Sequence, residues 1–350
     1  MAVYPGSSMR SRATRLRRNL YTVVMVIVVG VVVAVGYMWV VRGRGTTAPR
    51  DSTLPASVDE RTTSVSDTPA RGTVGGAGPR TEPNTTASAS AIPAADANDT
   101  VSALIAQAMA LLNQQPPKVI EARDRLNEVL PMAGDQQRAF VKEQLAALAD
   151  KWLFGKVIFT EDKLCSGYKV NPGDMLSTIG KQHNVPYEIL MQINNIERPE
   201  LLQAGVTIKV INGPFNARVY RSAFTMDLYL QNTYVKSFPV GLGKPGMETP
   251  TGRWRAKADG KLIQPIWTDP VTGRTYHPQD PDYPLGSRWI ALEGIGGAAV
   301  GRTGFAIHGT KDPEQIGTPG SQGCIRLHNG DAVLVYNLMM PGVSLIDVVD

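Results

Sequence analysis

The hydrophobic pattern along this chain changes period several times. Leu20 to Val41 ("LYTVVMVIVVGVVVAVGYMWVV") is an unbroken run without a charge. As a helix it spans about 33 Å, close to one bilayer hydrocarbon core. A membrane-spanning helix is therefore predicted over 20–41, behind a basic tail over 1–19. From Gly45 to Asp99 the pattern vanishes. Thr, Ser, Ala, Pro and Gly dominate, there is no aromatic residue, and only five residues are Leu, Ile or Val. Such a segment buries too little to fold, so a disordered tether is expected, with a root-mean-square span of about 40 Å.

Helical spacing begins at residue 100. Val101, Leu104, Ile105, Ala108, Leu111 and Leu112 fall on one face. Val119, Ala122, Leu126, Val129 and Leu130 fall on a second, and Val141, Leu145, Leu148 and Trp152 on a third. Thr100 suits the first N-cap, Pro117 an initial turn, Pro131 a stop and Asp135 the third cap. These signals predict a small helical bundle over 100–155, read as a packing unit or spacer because amphipathic stripes are core faces first.

Residues 168–213 alternate briefly, turn helical twice, and close on an apolar strand at Thr207–Val210, giving β-α-α-β. From Phe215 to Asp350 short alternating strands dominate ("ARVYRSA", "TMDLYLQ", "YVKSFPVGLG", "GVSLIDVV"), with one helix expected from Asp331 to about Met340. The fold class is thus multi-domain α+β, ending in a mostly-β, sandwich-like domain. The stretch Leu262–Pro284, with Trp267, Tyr276 and Tyr283, reads either as a lid or as an ordered insertion.

Charge refines this picture at the N-terminus. Arg10, Arg12, Arg15, Arg17 and Arg18 precede the apolar run and only Arg42 and Arg44 follow it directly, so the positive-inside bias places the N-terminus in the cytoplasm and the remainder across the membrane. The run lacks the short apolar core and cleavage site of a signal peptide, and Tyr37 and Trp39 suit an interface, so a retained anchor is expected. The net charge of +5 lies entirely in residues 1–44, whose seven arginines leave the rest at −2. That argues against a phosphate-binding surface on the exported part.

The chemistry concentrates in "HGTKDPEQIGTPGSQGCIRLHN", residues 308–329, which carries one of only two cysteines. A nucleophilic cysteine needs a base and oxyanion donors. His308 ends an apolar run that forms a strand, and Gly323 precedes Cys324, with Ser321 and Gln322 beside it. Arg326 makes the surroundings electropositive, lowers the thiol pKa, and can clamp a carboxylate. A core thiol is the commonest role of a lone cysteine, but the glycine and polar flanks disfavour it. Cys324 with His308 and His328 could be metal ligands, although their spacing matches no zinc signature. His328 is an alternative base but is better placed to support a turn; His183 and His277 read as surface residues and Cys165 as structural. No metal or cofactor is implied.

Two families match these motifs. Tyr168, Val170, Gly173, Asp174, Leu176, Ile179, Val185, Leu190, Asn194, Leu202, Gly205 and Ile208 resemble the LysM module, with Gly180 where an alanine is more usual. That resemblance implies binding to peptidoglycan through N-acetylglucosamine-containing glycan, with Gly173, Asp174 and Asn194 as candidate contacts. "IHGTKDPEQIGTPGSQGCIRLHNGDAVLVY", with "PVGLGKPGMETPTGRW" and "GSRWIAL" upstream, resembles the L,D-transpeptidase catalytic domain of the YkuD type over 215–350. By that resemblance Cys324 attacks the bond before the terminal D-alanine of a tetrapeptide stem, forms a thioester, and passes the acyl group to an amine on a second stem. His308 would be the base and later acid, oriented by the Gly309 carbonyl. The Gly323 and Cys324 amides would form the oxyanion hole, and Arg326 would hold substrate or the loop. Gln322 stands where many relatives have histidine. Water as acceptor would make the chain an L,D-carboxypeptidase, an envelope protein as acceptor an attachment enzyme, and an inactive domain a wall-binding scaffold.

Overall fold

The computed structural model describes residues 94–350. The basic tail, the expected membrane helix over 20–41 and the tether up to residue 93 lie outside the described residues. Among the described residues no helix is long and apolar enough to cross a membrane.

Three helices come first: α1 (Ala94–Leu112), α2 (Val119–Val129) and α3 (Asp135–Trp152). The expected apolar stripes form their buried faces, including Ala108, Leu126, Leu145 and Trp152. The first helix begins six residues before Thr100, within the stretch expected as tether. Alanines at 94, 95 and 97 are strong helix formers, and Pro93 ahead of them marks a natural start. Asp135 is the first helical residue and Gly134 the N-cap, one position from expectation.

The α3 helix and the residues after it are tied to the next unit by buried charge. Arg123 lies over the Trp152 ring at 4.4 Å and pairs with buried Asp162 at 2.9 Å. Lys209, from the second strand of the next unit, donates to Trp152 O (2.6 Å), Gly155 O (2.7 Å) and Val157 O (2.8 Å). Helix C-termini leave carbonyls without intrahelical partners, and a buried ammonium satisfies three acceptors here.

That unit is the expected β-α-α-β: β1 (Cys165–Lys169), α4 (Leu176–Gln182), α5 (Tyr187–Asn194) and β2 (Thr207–Ile211), with β1 and β2 antiparallel. Gly180 has a local cause. A Cβ there would sit 2.7 Å from Val185 O, so the usual alanine would force the two helices apart. His183 is half-buried, edge-on to Tyr168 and bonded to Asn212 Oδ1 at 2.8 Å, so it belongs to the packing of this module.

The remaining strands are β3 (Phe215–Tyr220), β4 (Thr225–Leu230), β5 (Thr233–Pro239), β6 (Leu242–Gly243), β7 (Gly252–Leu262), β8 (Trp267–Thr268), β9 (Thr275–Tyr276), β10 (Trp289–Gly296), β11 (Phe305–His308), β12 (Pro319–Ser321), β13 (Ile325–Arg326) and β14 (Leu345–Val349), with α6 (Asn329–Leu338) before the last. Eight of them form one continuous sheet in the order β13, β11, β10, β7, β14, β3, β4, β5. The mostly-β domain expected here is present: β14 returns between β3 and β7 and makes these eight strands continuous, while β6 pairs with β12 in a separate two-stranded sheet. Alternation marks strands but not which strands pair. Neighbours are antiparallel except β11 with β13 and β14 with β3.

The bundle covers the β5 edge of this sheet, where backbone groups would otherwise be open to another chain. Asn127 donates to Asn232 O (3.2 Å) and accepts from Tyr234 N (3.0 Å). Lys142 pairs at 2.6 Å with fully buried Asp227, which also accepts from Ser237 Oγ. The β-α-α-β unit meets the same domain through Glu188–Lys261 (3.5 Å) and Asn337–Gln192 (3.3 Å). Lys209→Met removes the donor from three buried carbonyls and is expected to lower unfolding stability by about 2–5 kcal/mol. Urea unfolding of the two proteins measures this, and an unchanged midpoint would contradict it.

Candidate active site

The parallel pairing of β11 with β13 places the chemistry. Its register sets Ile307 opposite Ile325 and His308 opposite Arg326, and Cys324 sits on the turn entering β13. The half-buried thiol lies 3.9 Å from Gly304 O, just ahead of β11, with the Ala306 amide beside it. His308, two residues beyond Ala306, is about 7 Å further along the strand. A 16-residue separation in sequence thus becomes a neighbourhood on two adjacent strands.

His308 is buried and fixed. Its ring stacks on Trp289 at 5.5 Å, and Nδ1 lies 2.6 Å from Gly309 O. A carbonyl only accepts, so neutral His308 carries its proton on Nδ1 and presents Nε2 as the basic atom. Burial pushes its pKa down to about 4, with the Arg326 charge acting in the same sense against the Gly309 and Leu285 carbonyls. Burial also pushes the Cys324 thiol up to about 11, despite the Ala306 amide and Arg326, which favour the thiolate. Thiol and imidazole are therefore both neutral near pH 7. Each is bonded to a carbonyl and not to the other. This arrangement suits general-base transfer during attack, since such contacts tighten only when substrate is bound.

The catalytic turn is held from both sides. Ser321 Oγ donates to Cys324 O (2.7 Å) and accepts from Gly323 N (3.1 Å). Thr249 Oγ1 donates to Gly323 O (2.8 Å) and accepts from Gly243 N (3.1 Å). Gly323 has φ of +110°, and a Cβ there would lie 2.6 Å from the Phe305 ring, so no other residue fits. The expected pair of oxyanion amides is corrected by this geometry: Gly323 N–H is directed to Ser321. Cys324 N–H has no partner among the described residues and is the available donor.

Arg326 takes the loop-holding of its two expected roles. Its guanidinium donates to Gln315 Oε1 and to Gly320 O (3.2 Å), pinning the loop between His308 and Cys324, so those donors do not reach a substrate carboxylate. Gln322 is exposed and donates to Asp269 Oδ1 (3.4 Å) in the β8–β9 insertion, where Trp267 stacks on Tyr276. The stretch expected as lid or insertion is thus an ordered hairpin whose Asp269 touches the catalytic loop. His328 occupies the N-cap position of α6, and its side chain makes no capping hydrogen bond.

Two positioning residues carry no role in the sequence reading. One is Thr249, in "METPTG". The other is Asn329, which accepts from Ser287 N (3.0 Å) and donates to Thr310 O (2.9 Å), packing so closely on Gly309 and Gly286 that a Cβ on either would strike it. Both lie inside quoted motifs, but their partners are 74 and 42 or 19 positions away.

In the β-α-α-β unit, Asp174 accepts from Asn171 N (2.7 Å) and Tyr168 OH (2.8 Å), which lowers its pKa. Asn194 bonds Leu190 O and both backbone groups of Lys209, each at 2.8 Å. These bonds brace the module from within. Gly173 stays open at φ +88°. Cys165 is buried on β1, its pKa raised to about 12 by burial and by Asp162, which leaves it inert.

Comparison with known proteins identifies the two matched domains. The family model for the L,D-transpeptidase catalytic domain (YkuD) matches residues 216–348, and that for the LysM domain matches 168–210. Three bacterial proteins named as L,D-transpeptidases are similar. YkuD of Bacillus subtilis is 29% identical over 188 residues, covering 51% of this chain and 96% of that protein. YqjB of Bacillus subtilis is 30% identical over 131 residues, covering 37% and 67%. ErfK/SrfK of Escherichia coli is 30% identical over 197 residues, covering 51% and 54%, so the chain spans about half of that relative. An L,D-transpeptidase structure from Mycobacterium smegmatis is 18% identical with a TM-score of 0.29, covering 42% of this chain and 64% of that one. The matched region runs from β3 to β14, and the chain belongs to the YkuD family of L,D-transpeptidases.

Proposed function

We propose that the chain cross-links peptidoglycan by L,D-transpeptidation, with Cys324 as nucleophile and His308 as base. The observation that carries this is the β11–β13 pair, which sets a thiol with an unengaged amide beside a strand bearing a neutral, carbonyl-oriented imidazole. Sγ attacks the carbonyl before the terminal D-alanine as His308 Nε2 takes the thiol proton. Cys324 N–H donates to the oxyanion, where one such donor is worth about 10²–10³ in rate. Collapse breaks the amide bond, and His308 returns the proton to the departing D-alanine amine. An amine of a second stem then attacks the thioester, His308 takes its proton, and the thiol is restored.

The LysM module and an N-terminal anchor complete the reading. The module lies against the catalytic domain, so glycan bound to it presents stems at a fixed offset. The anchor reading rests on the uncharged run over 20–41 and its arginine flanks, which place the catalytic domain in the cell-wall space. Deleting residues 1–44 is then expected to move the protein from the membrane to the soluble fraction on fractionation; an unchanged distribution removes the anchor from the proposal.

Intact mass of the protein mixed with a disaccharide-tetrapeptide tests the chemistry. The expected adduct is the substrate less D-alanine on wild type and none on Cys324→Ala; unmodified wild type with intact glycan binding would favour a scaffold. Release of D-alanine without cross-linked product when acceptor amine is supplied would favour the carboxypeptidase. The pH profile follows from the two shifts. His308 keeps its basic form above about 4, so the apparent second-order rate of acylation is expected to stay level from pH 7 to about 5 and fall towards 4. Alkylation of Cys324 by iodoacetamide is expected to keep rising with pH towards about 11 rather than level off near 9, read from the labelled peptide.

A further inference from the structure

The face where the LysM module meets the catalytic domain leads towards His308. Glu188, on α5 of the module, pairs with Lys261 on β7 at 3.5 Å. The Lys261 side chain is only 8% exposed and burial lowers its pKa, so its ammonium depends on a compensating charge. Glu188 is the carboxylate that pairs with it among the described residues, while the Arg288 charge acts against it. Lys261 Nζ lies 4.1 Å from the centre of the Tyr336 ring, and the Arg288 guanidinium lies 5.4 Å from the same ring. Two cations thus share one buried ring and one carboxylate of the module.

The elements engaged there continue to the catalytic histidine. Tyr336 and Asn337 lie near the end of α6, and Asn337 donates to Gln192 of the module at 3.3 Å. Asn329, about 12 Å back at the start of that helix, braces Ser287 and Thr310. Arg288 closes the loop 285–288. Its carbonyl accepts from Gly309 N (3.2 Å), its neighbour Trp289 stacks on the His308 ring, and Leu285 at the other end of the loop offers that ring a carbonyl. Arg288 Nε is buried with no hydrogen-bond partner among the described residues, so the Tyr336 ring and Ser287 O hold the guanidinium.

We propose that the docked LysM module positions His308, with Glu188 acting through Lys261, Tyr336 and Arg288 to hold the loop 285–288 against the imidazole. This rests on the transpeptidase reading, which makes His308 the base. A module that only grips glycan has no influence on a stem that carries no sugar, whereas a positioning module sets the rate on any stem.

The experiment takes the full chain as wild type, Glu188→Ala and Glu188→Gln, and times acylation by a sugar-free tetrapeptide through intact mass. The expected result for Glu188→Ala is a fall of about fivefold in the saturating rate with an unchanged half-saturating concentration. Glu188→Gln keeps an acceptor for Lys261 and is expected to lose less. Burial sets the His308 pKa at about 4, with Arg326 opposite it on β13 as the charged group acting on it. Looser packing admits water, so the acid limb of the rate profile is expected to move in Glu188→Ala from about 4 towards the ordinary 6.5. An unchanged saturating rate, a loss confined to the half-saturating concentration, or a fall with an unmoved acid limb would each overturn the proposal. Where wild type is acylated only by a disaccharide-tetrapeptide, or by neither stem, in which case the transpeptidase reading itself fails, NMR titration of the His308 ring decides the coupling. A higher midpoint in Glu188→Ala supports it, and superimposed curves overturn it.

Discussion

The site depends on one short parallel ladder between β11 and β13. Parallel strands need a crossover, and the loop from Gly309 to Gly323 supplies it. Arg326 and Ser321 bind the crossover to the turn carrying Cys324 from within, and Thr249 ties that turn to the segment ahead of β7. Glycine at 323 is the condition for this closure, since only it tolerates both the backbone angle and the Phe305 ring.

The resting state of that site is electrically quiet. A thiol held up and an imidazole held down leave no ion pair at rest, so the proposed chemistry has the thiolate form only as a substrate carbonyl arrives. The cost is a nucleophile that depends on positioning rather than on prior ionisation. Asn329 and Trp289 matter in this light because they fix the strand end and the ring on which proton transfer relies.

The domains around the site solve separate physical problems. The helical bundle closes the β5 edge of the sheet, and Lys209 neutralises the carbonyls left by the end of α3 while belonging to the LysM module. Three units that read as independent in sequence are therefore cross-braced by buried charge. Unpartnered, such charges would be costly; paired, they fix how the units meet.

The sequence by itself determined the helical stripes, the β-α-α-β unit and the β-rich end, and it singled out Cys324 and His308 as candidates. Each of these is a local signal: a period, a turn residue, or a motif within 22 positions. The tertiary structure decided what each donor does. Arg326 read as a holder of either substrate or the loop until its guanidinium met Gln315 and Gly320, Gly323 N–H turned to Ser321, and Asp174 and Asn194 took partners within their module. A residue type names its hydrogen-bonding capacity, but whether a partner already takes up that capacity depends on contacts formed at long sequence separation. Thr249 was silent because Gly323, which it holds in the catalytic turn, is 74 positions away.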